Sequence, residues 1–383
     1  MKRFISRVLP LLLSFGLIFN CTGCSTVLVL AGKTRENSEA SSSVISESSA
    51  SSGVISTPVP TEDGDLRAFY TDVANAESVT VMVYMIGSDL ESEDGSATDD
   101  LLEMADAALS ENVHLVLQTG GTETWWNDVC TDDESERFVI ENGDMTLLQN
   151  LGSVNMTDAD TLSDFIRFSA ESYPADRYEL ILWDHGGGTM TGFGYDELYE
   201  DTSLTLSSLS TALYNGGVQF DFIGFDACLM ATAEVAYALD PYADYLIASE
   251  ESEPGEGWAY KNWLTMLAED PAVPTAELGK KLADDFLEAY IFADMPTLSV
   301  LDLRYVPELY AALESYWGSA YTALQSGSYG AFSQVRSNVR EFGDNEYDQV
   351  DLSDLATLTK QSLSLGTEDD VQAAVQNMVV YNV

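Results

Sequence analysis

The chain has 383 residues, of which 45% are hydrophobic and 10% aromatic, enough to build one large domain or two ordinary ones around a real core. Its charge is extreme: 64 acidic against 16 basic residues, a formal net charge of -48. That excludes nucleic acid as a partner, because phosphate binding depends on Lys and Arg. The acidity suits a soluble extracytoplasmic surface, a cationic substrate or bound calcium, and charge alone does not choose among them.

The first segment reads as an export signal. Lys2, Arg3 and Arg7 form a basic leader, and an apolar run of roughly twelve residues from Val8 to Phe19 follows, too short to span a bilayer. It ends in Cys21-Thr22-Gly23-Cys24, which resembles a bacterial lipobox, with Cys24 as the acylated residue and residues 1–23 as the signal peptide. Residues 24–64 are Ser-rich, without periodicity, and read as a flexible tether. Residues 65–383 form the folded domain. Once Cys21 is lost with the signal and Cys24 carries lipid, Cys130 and Cys228 remain. They are either a disulfide or free thiols, and a free thiol kept outside the cytoplasm asks for a chemical explanation.

The runs Val79–Ile86, Val113–Gln118, Tyr178–Trp183, Phe220–Phe225 and Tyr245–Ser249 are short, apolar on both faces and β-branched or aromatic, as buried strands are. Helical patterns at Thr98–Ser110, Asp160–Ser172, Leu206–Tyr214 and Met230–Leu239 lie between them. Strand alternating with helix predicts an α/β fold with a mostly parallel sheet, whose chemistry collects beyond the carboxyl ends of the strands. After about Asp270 the chain predicts helices at Ala276–Ala293, Val306–Gln325, Val335–Phe342, Asp351–Ser364 and Asp369–Met378. The terminal run Val379–Val383 reads as a strand, either at a sheet edge or cut short where the chain is a fragment.

There are two histidines. His114 lies within a strand. His185 ends the strand of ILWDHGGG, where the glycines let backbone approach a ligand and aim amide N–H groups at it. Cys228 takes the equivalent place after the next strand, with a helix expected from about Leu229; a helix N-terminus would lower the thiol pKa and favour a thiolate paired with His. The two together point to a Cys–His hydrolase.

ILWDHGGG, DELYEDTSLTLSSL, FDFIGFDACLMATAEVAYAL and YLIASEESEPGEGW, preceded by VMVYMIGSDLESEDGSATDDLLEM, resemble the clostripain-like cysteine peptidases over about Val79 to Trp258. The resemblance implies a caspase-like three-layer sandwich: a mostly parallel sheet flanked by helices. It places the family's catalytic His on His185 and its nucleophile on Cys228, with backbone amides of Gly186 and Cys228 as the oxyanion hole. Asp226 would recognise a basic residue before the scissile bond, the alternative being that it caps the following helix. Glu256 and Trp258, in the Glu250–Trp258 loop, would complete the substrate pocket. The implied function is an extracytoplasmic, lipid-anchored endopeptidase acting on proteins or peptides after Arg or Lys. The rival reading is a lipoprotein that binds cationic peptides without cutting them.

Two departures stand out. Some family members mature by self-cleavage at a basic residue between His and Cys, yet no Lys or Arg lies between Arg177 and Lys261. The family also has a link to calcium. Asp89, Glu91, Glu93 and Asp94 are the candidate acids, but Gly95 falls one position late for an EF-hand loop. No cofactor is required by the chemistry, and no metal site is assigned.

Overall fold

The structure is a computed structural model that describes residues 73–199, 202–290, 296–343 and 347–383. The signal segment, Cys24, the whole Ser-rich tether and the start of the expected domain lie outside the described residues.

Among the described residues nine strands form one sheet. In chain order they are β1 (Val79–Ile86), β2 (Val113–Gly120), β3 (Ser135–Glu141), β4 (Asp144–Gly152), β5 (Arg177–Trp183), β6 (Phe220–Asp226), β7 (Ala243–Ala248), β8 (Ser299–Asp302) and, after the last helix, Val379–Asn382. Their order across the sheet is Val379–Asn382, β8, β7, β6, β5, β1, β2, β3, β4. The five central strands β2, β1, β5, β6 and β7 are parallel. The flanking pairs are antiparallel. The sheet is therefore mixed α/β and mostly parallel at its centre, as expected.

Helices cover both faces, and β1 shows why its sequence is apolar throughout. Val79, Val81, Val83 and Met85 enter one core with Leu101, Met104, Trp263 and Phe286. Met82, Tyr84 and Ile86 enter the other with Phe165, Leu209, Val235 and Leu309. All eight β1 residues are buried, which is the signature of a strand between two helix layers. The helices used below are α1 (Ser88–Ser92), α2 (Ser96–Ala105) and α3 (Ala159–Ser172), with α4 (Leu206–Gly216), α5 (Ala233–Leu239) and α6 (Tyr260–Glu269) following later in the chain.

The chain departs from the sequence reading at two hairpins. The hairpin β3–β4 was not anticipated; its turn is Asn142-Gly143, both at positive φ (53° and 85°), the conformation that Asn-Gly hairpin turns require. The helix expected over Val335–Phe342 ends at Arg336 and the chain becomes the strand Glu341–Phe342, paired with Gln349–Val350. Arg336 binds both Glu341 and Asp348, which ties that small hairpin to the helix end. The run after Met378 is an edge strand, antiparallel to β8.

Candidate active site

Two neighbouring strands deliver the candidate pair. Trp183 at the end of β5 is in register with Asp226 at the end of β6. His185 and Cys228 each follow two residues later, and the Asp184 amide donates to the Asp226 carbonyl at 3.2 Å. Because adjacent strands lie about 4.8 Å apart, equal overshoot brings both side chains to one place. They line a single cavity of about 530 Å³ with Gly186, Tyr195, Ser252 and Tyr347.

The glycines after His185 are needed for close approach. A Cβ on Gly186 would stand 2.1 Å from the Cys228 carbonyl oxygen. The backbones that carry the two candidate oxyanion amides are thus pressed together. Gly192 turns at φ 83°, and the loop closes through Gly187 N to Gly192 O at 2.9 Å and Gly194 N to His185 O at 3.0 Å.

His185 Nε2 lies 2.7 Å from Asp89 Oδ1, with both side chains half-exposed. Asp184 beside it is buried and binds Ser88: Ser88 Oγ donates to Asp184 Oδ1 at 2.7 Å. The Tyr195 amide donates to Asp184 Oδ2. Burial pushes the Asp184 carboxyl up to about 7, against the lowering effect of His185 and these donors.

Cys228 does not sit at a helix N-terminus, contrary to the sequence expectation. Leu229 adopts φ 66° and the chain pairs with the next segment, Leu229 N to Glu251 O and Ala231 N to Ser249 O, before α5 begins at Ala233. Burial pushes the Cys228 thiol up, and the Glu253 amide, donating to Sγ at 3.2 Å, only partly offsets this. Cys130 and Cys228 are both free thiols, so the disulfide alternative falls away. Burial pushes the Cys130 thiol up to about 12.

Asp226 is buried and caps nothing. Thr232 caps α5, its hydroxyl accepting from Val235 N. The Asp226 carboxylate accepts from Trp258 N at 2.9 Å and Tyr260 Oη at 2.7 Å. Burial, then the charges of Asp226 and Cys228, push the Glu253 carboxyl well up, and burial raises Asp226 to about 7. Glu253 Oε2 accepts from Trp258 Nε1 at 3.2 Å, and Oε1 is buried without a hydrogen bond. Behind them Asp100 accepts from Trp183 Nε1 at 2.6 Å.

Glu256 and Trp258 do not line the cavity of His185 and Cys228. They line a smaller one of about 180 Å³, with Asp99, Asp100, Glu103 and Tyr290. Trp258 itself is 1% exposed and packs over Gly224, where a Cβ would meet its ring at 2.8 Å. His114 is a strand residue whose ring lies against Tyr173. The four acids considered for calcium do not converge. Asp89 faces His185, while Glu91 turns inward and accepts from Thr98 N, Thr98 Oγ1 and Trp126 N. Among the described residues no group of three or more His, Cys, Asp or Glu side chains is placed to hold a metal ion.

Sequence reasoning missed the Asp89–His185 contact, the Ser88–Asp184 bond and the approach of Glu253 to Cys228. Asp89 carried one usable signal: like His185 and Cys228, it stands just beyond the carboxyl end of a central parallel strand.

The clostripain family model matches residues 83–383. Clostripain from Hathewaya histolytica is 29% identical over 217 residues, covering 48% of this chain and 41% of that protein. The chain thus spans about two fifths of the length of that relative. A secreted C11 cysteine protease from Bacteroides thetaiotaomicron, solved with an irreversible peptide inhibitor, shares the fold with a TM-score of 0.61 at 20% identity, over 80% of this chain and 84% of that one. An inactive zymogen C11 protease from Parabacteroides distasonis does so with a TM-score of 0.61 at 22% identity, over 81% and 84%. From β1 to the final strand, this chain belongs to the clostripain family.

Proposed function

We propose that the protein is an extracytoplasmic cysteine endopeptidase that cuts proteins or peptides after Arg or Lys, with Cys228 as nucleophile and His185 as general base and acid. The observation that carries this reading is the shared cavity: a thiol and an imidazole at matched positions on adjacent strands, with Gly186 packed on the Cys228 backbone.

Since burial favours the neutral thiol, His185 takes its proton as the sulfur attacks the scissile carbonyl carbon. The tetrahedral oxyanion is held by the amides of Gly186 and Cys228. The C–N bond breaks as His185 returns the proton to the leaving amine, giving a thioester. His185 then deprotonates water, which attacks the thioester, and the acid product leaves as the thiol is restored.

Preference for a basic side chain is supported by the buried carboxyls of Asp226 and Glu253 close to the nucleophile, with that of Asp100 beyond Asp226. A guanidinium or ammonium reaching Asp226 makes a charge-assisted contact with its carboxylate. Glu256 and Trp258 act from behind, Trp258 by holding Asp226 and Glu253 in place. The N-terminal segment supports export and anchoring through a lipid on Cys24. No helix among the described residues is long and apolar enough to cross a membrane.

The test is a set of fluorogenic peptides that differ only in the residue before the cut, assayed with the full chain. Arg and Lys peptides should be cut, and Cys228→Ala and His185→Ala should each abolish cleavage. Asp226→Asn should depress turnover of basic substrates by tens- to thousands-fold while changing the alkylation rate of Cys228 much less. Cleavage surviving in Cys228→Ala rejects it as nucleophile.

A further inference from the structure

We infer that Asp89 is the positioning residue for His185: its carboxylate holds Nε2 and leaves Nδ1 as the nitrogen that exchanges a proton with Cys228. The inference rests on the reading of Cys228 and His185 as nucleophile and base.

Three independent observations support it. The contact itself is short, 2.7 Å from Nε2 to Oδ1, and joins residues 96 apart in sequence. An imidazole has two nitrogens, and a partner on one decides which tautomer the other presents. With Nε2–H donated to Asp89, Nδ1 carries the lone pair that a base needs.

The backbone is strained in order to place Asp89. Ser88, directly before it, is fully buried and adopts φ 49°, a left-handed conformation that costs a non-glycine residue roughly 1–2 kcal/mol. Strain of this kind persists where surrounding bonds over-determine it, and it collects at functional sites. Here the bonds are explicit. Gly87 N donates to Gly120 O at 2.8 Å and Ser88 N to Gly121 O at 3.1 Å. Ser88 Oγ donates to Asp184 Oδ1, and Asp184 immediately precedes His185. One carboxyl therefore ties the turn that carries Asp89 to the turn that carries His185.

The nucleophile also lacks the assistance that would make a positioned base dispensable. Cys228 has no helix N-terminus behind it, and burial favours its neutral form. Proton removal falls to the imidazole, so its tautomer and orientation set the rate. The titratable groups around the ring are Asp89 from α1, Asp184 and Tyr195 from its own loop, and Cys228 on the same cavity wall.

The experiment uses two variants that separate orientation from charge. Asp89→Asn keeps an oxygen that can accept from Nε2–H; Asp89→Ala keeps nothing. Both should lower kcat on a basic peptide by about tenfold to a hundredfold with KM little changed, as expected when an interaction is made in the transition state. The chain holds only two histidines, so imidazole nitrogen NMR reports the tautomer directly. The wild type should show the Nε2-protonated form for His185, Asp89→Asn should retain it, and Asp89→Ala should lose it. Wild-type kcat in both variants, with His185→Ala inactive, would overturn the inference and leave the peptidase reading standing. A wild-type enzyme that cuts no peptide would remove the peptidase reading; the tautomer spectra would then decide the role of Asp89, and an Nδ1-protonated His185 in the wild type would reject it.

Discussion

Replacing Gly186 by Ala should separate the two halves of the site. The added Cβ stands 2.1 Å from the Cys228 carbonyl oxygen and 3.1 Å from its carbon, with Met230 Cγ also at 3.1 Å. A carbon rests no closer than about 3.3 Å from a carbonyl oxygen, so the two backbones must part by roughly 1.2 Å. Both obstacles at Cys228 are backbone, and no side chain can rotate out of the way. Overpacking of this size costs about 1–3 kcal/mol, which lowers Tm by roughly 2–5 °C in a domain of this length. The effect on chemistry should be larger, because about 1 Å of misplacement between reacting groups costs on the order of a hundredfold in rate. The variant retains its amide N–H, so the loss reports position and not a missing donor. The assay is kcat/KM on an Arg peptide together with a thermal melt. Gly217→Ala is the control: its φ of 70° strains an Ala, but nothing lies within 4 Å of the added carbon. It should lower Tm by a few degrees and leave kcat/KM within about twofold. A Gly186→Ala enzyme with kcat/KM within threefold of wild type would refute the close approach of the two loops.

Stability should fall between pH 5 and pH 8. Burial raises Glu179 to about 8 and Asp184 and Asp226 to about 7. Acids held above their unfolded values bind protons more tightly when folded, so their penalty is absent below about pH 4, grows with pH and is complete above about pH 8. The urea midpoint should drop by roughly 1 M across that range, and a midpoint that rises would contradict the assignment. Thiol labelling at pH 8 followed by peptide mapping should modify Cys228 in the native protein and Cys130 only after unfolding, since Cys130 is buried and its thiol is raised to about 12. Equal native rates would contradict its burial. Trp183→Phe should cost about 1–3 kcal/mol by leaving Asp100 without the indole donor at 2.6 Å. An unchanged urea midpoint would show that water or another donor replaces it.

The central strands were legible because each is buried on both faces and so is apolar without alternation; β1, β2, β5, β6 and β7 fall within a residue or two of the runs that predict them. Helices with a strong one-sided stripe, such as α3, were equally clear. The hairpin β3–β4 was less so, because β4 faces solvent along much of its length. Its Asn142-Gly143 turn was nonetheless a readable signal. The helix after Cys228 was placed too early, since apolar spacing from Met230 onward does not reveal that Leu229 reverses into the left-handed region. The Glu250–Trp258 loop was recognised as a wall near the site. It divides between the thiol, which the Glu253 amide meets, and a separate acidic cavity lined by Glu256 and Trp258, a matter of packing that no spacing encodes.

By itself the sequence determined the α/β class, the parallel order implied by strand–helix alternation, and the placement of His185 and Cys228 beyond two strand ends, because these follow from local polarity and from motifs a few residues long. Only the tertiary structure decided which side chains meet. Asp89 reaches His185 across 96 residues, Ser88 binds Asp184 across the same interval, and the Glu253 amide donates to the Cys228 sulfur. Such contacts depend on the register of strands and on left-handed turns at Ser88 and Leu229. Those are set by the packing of the whole sheet, whose energy no local stretch of chain contains.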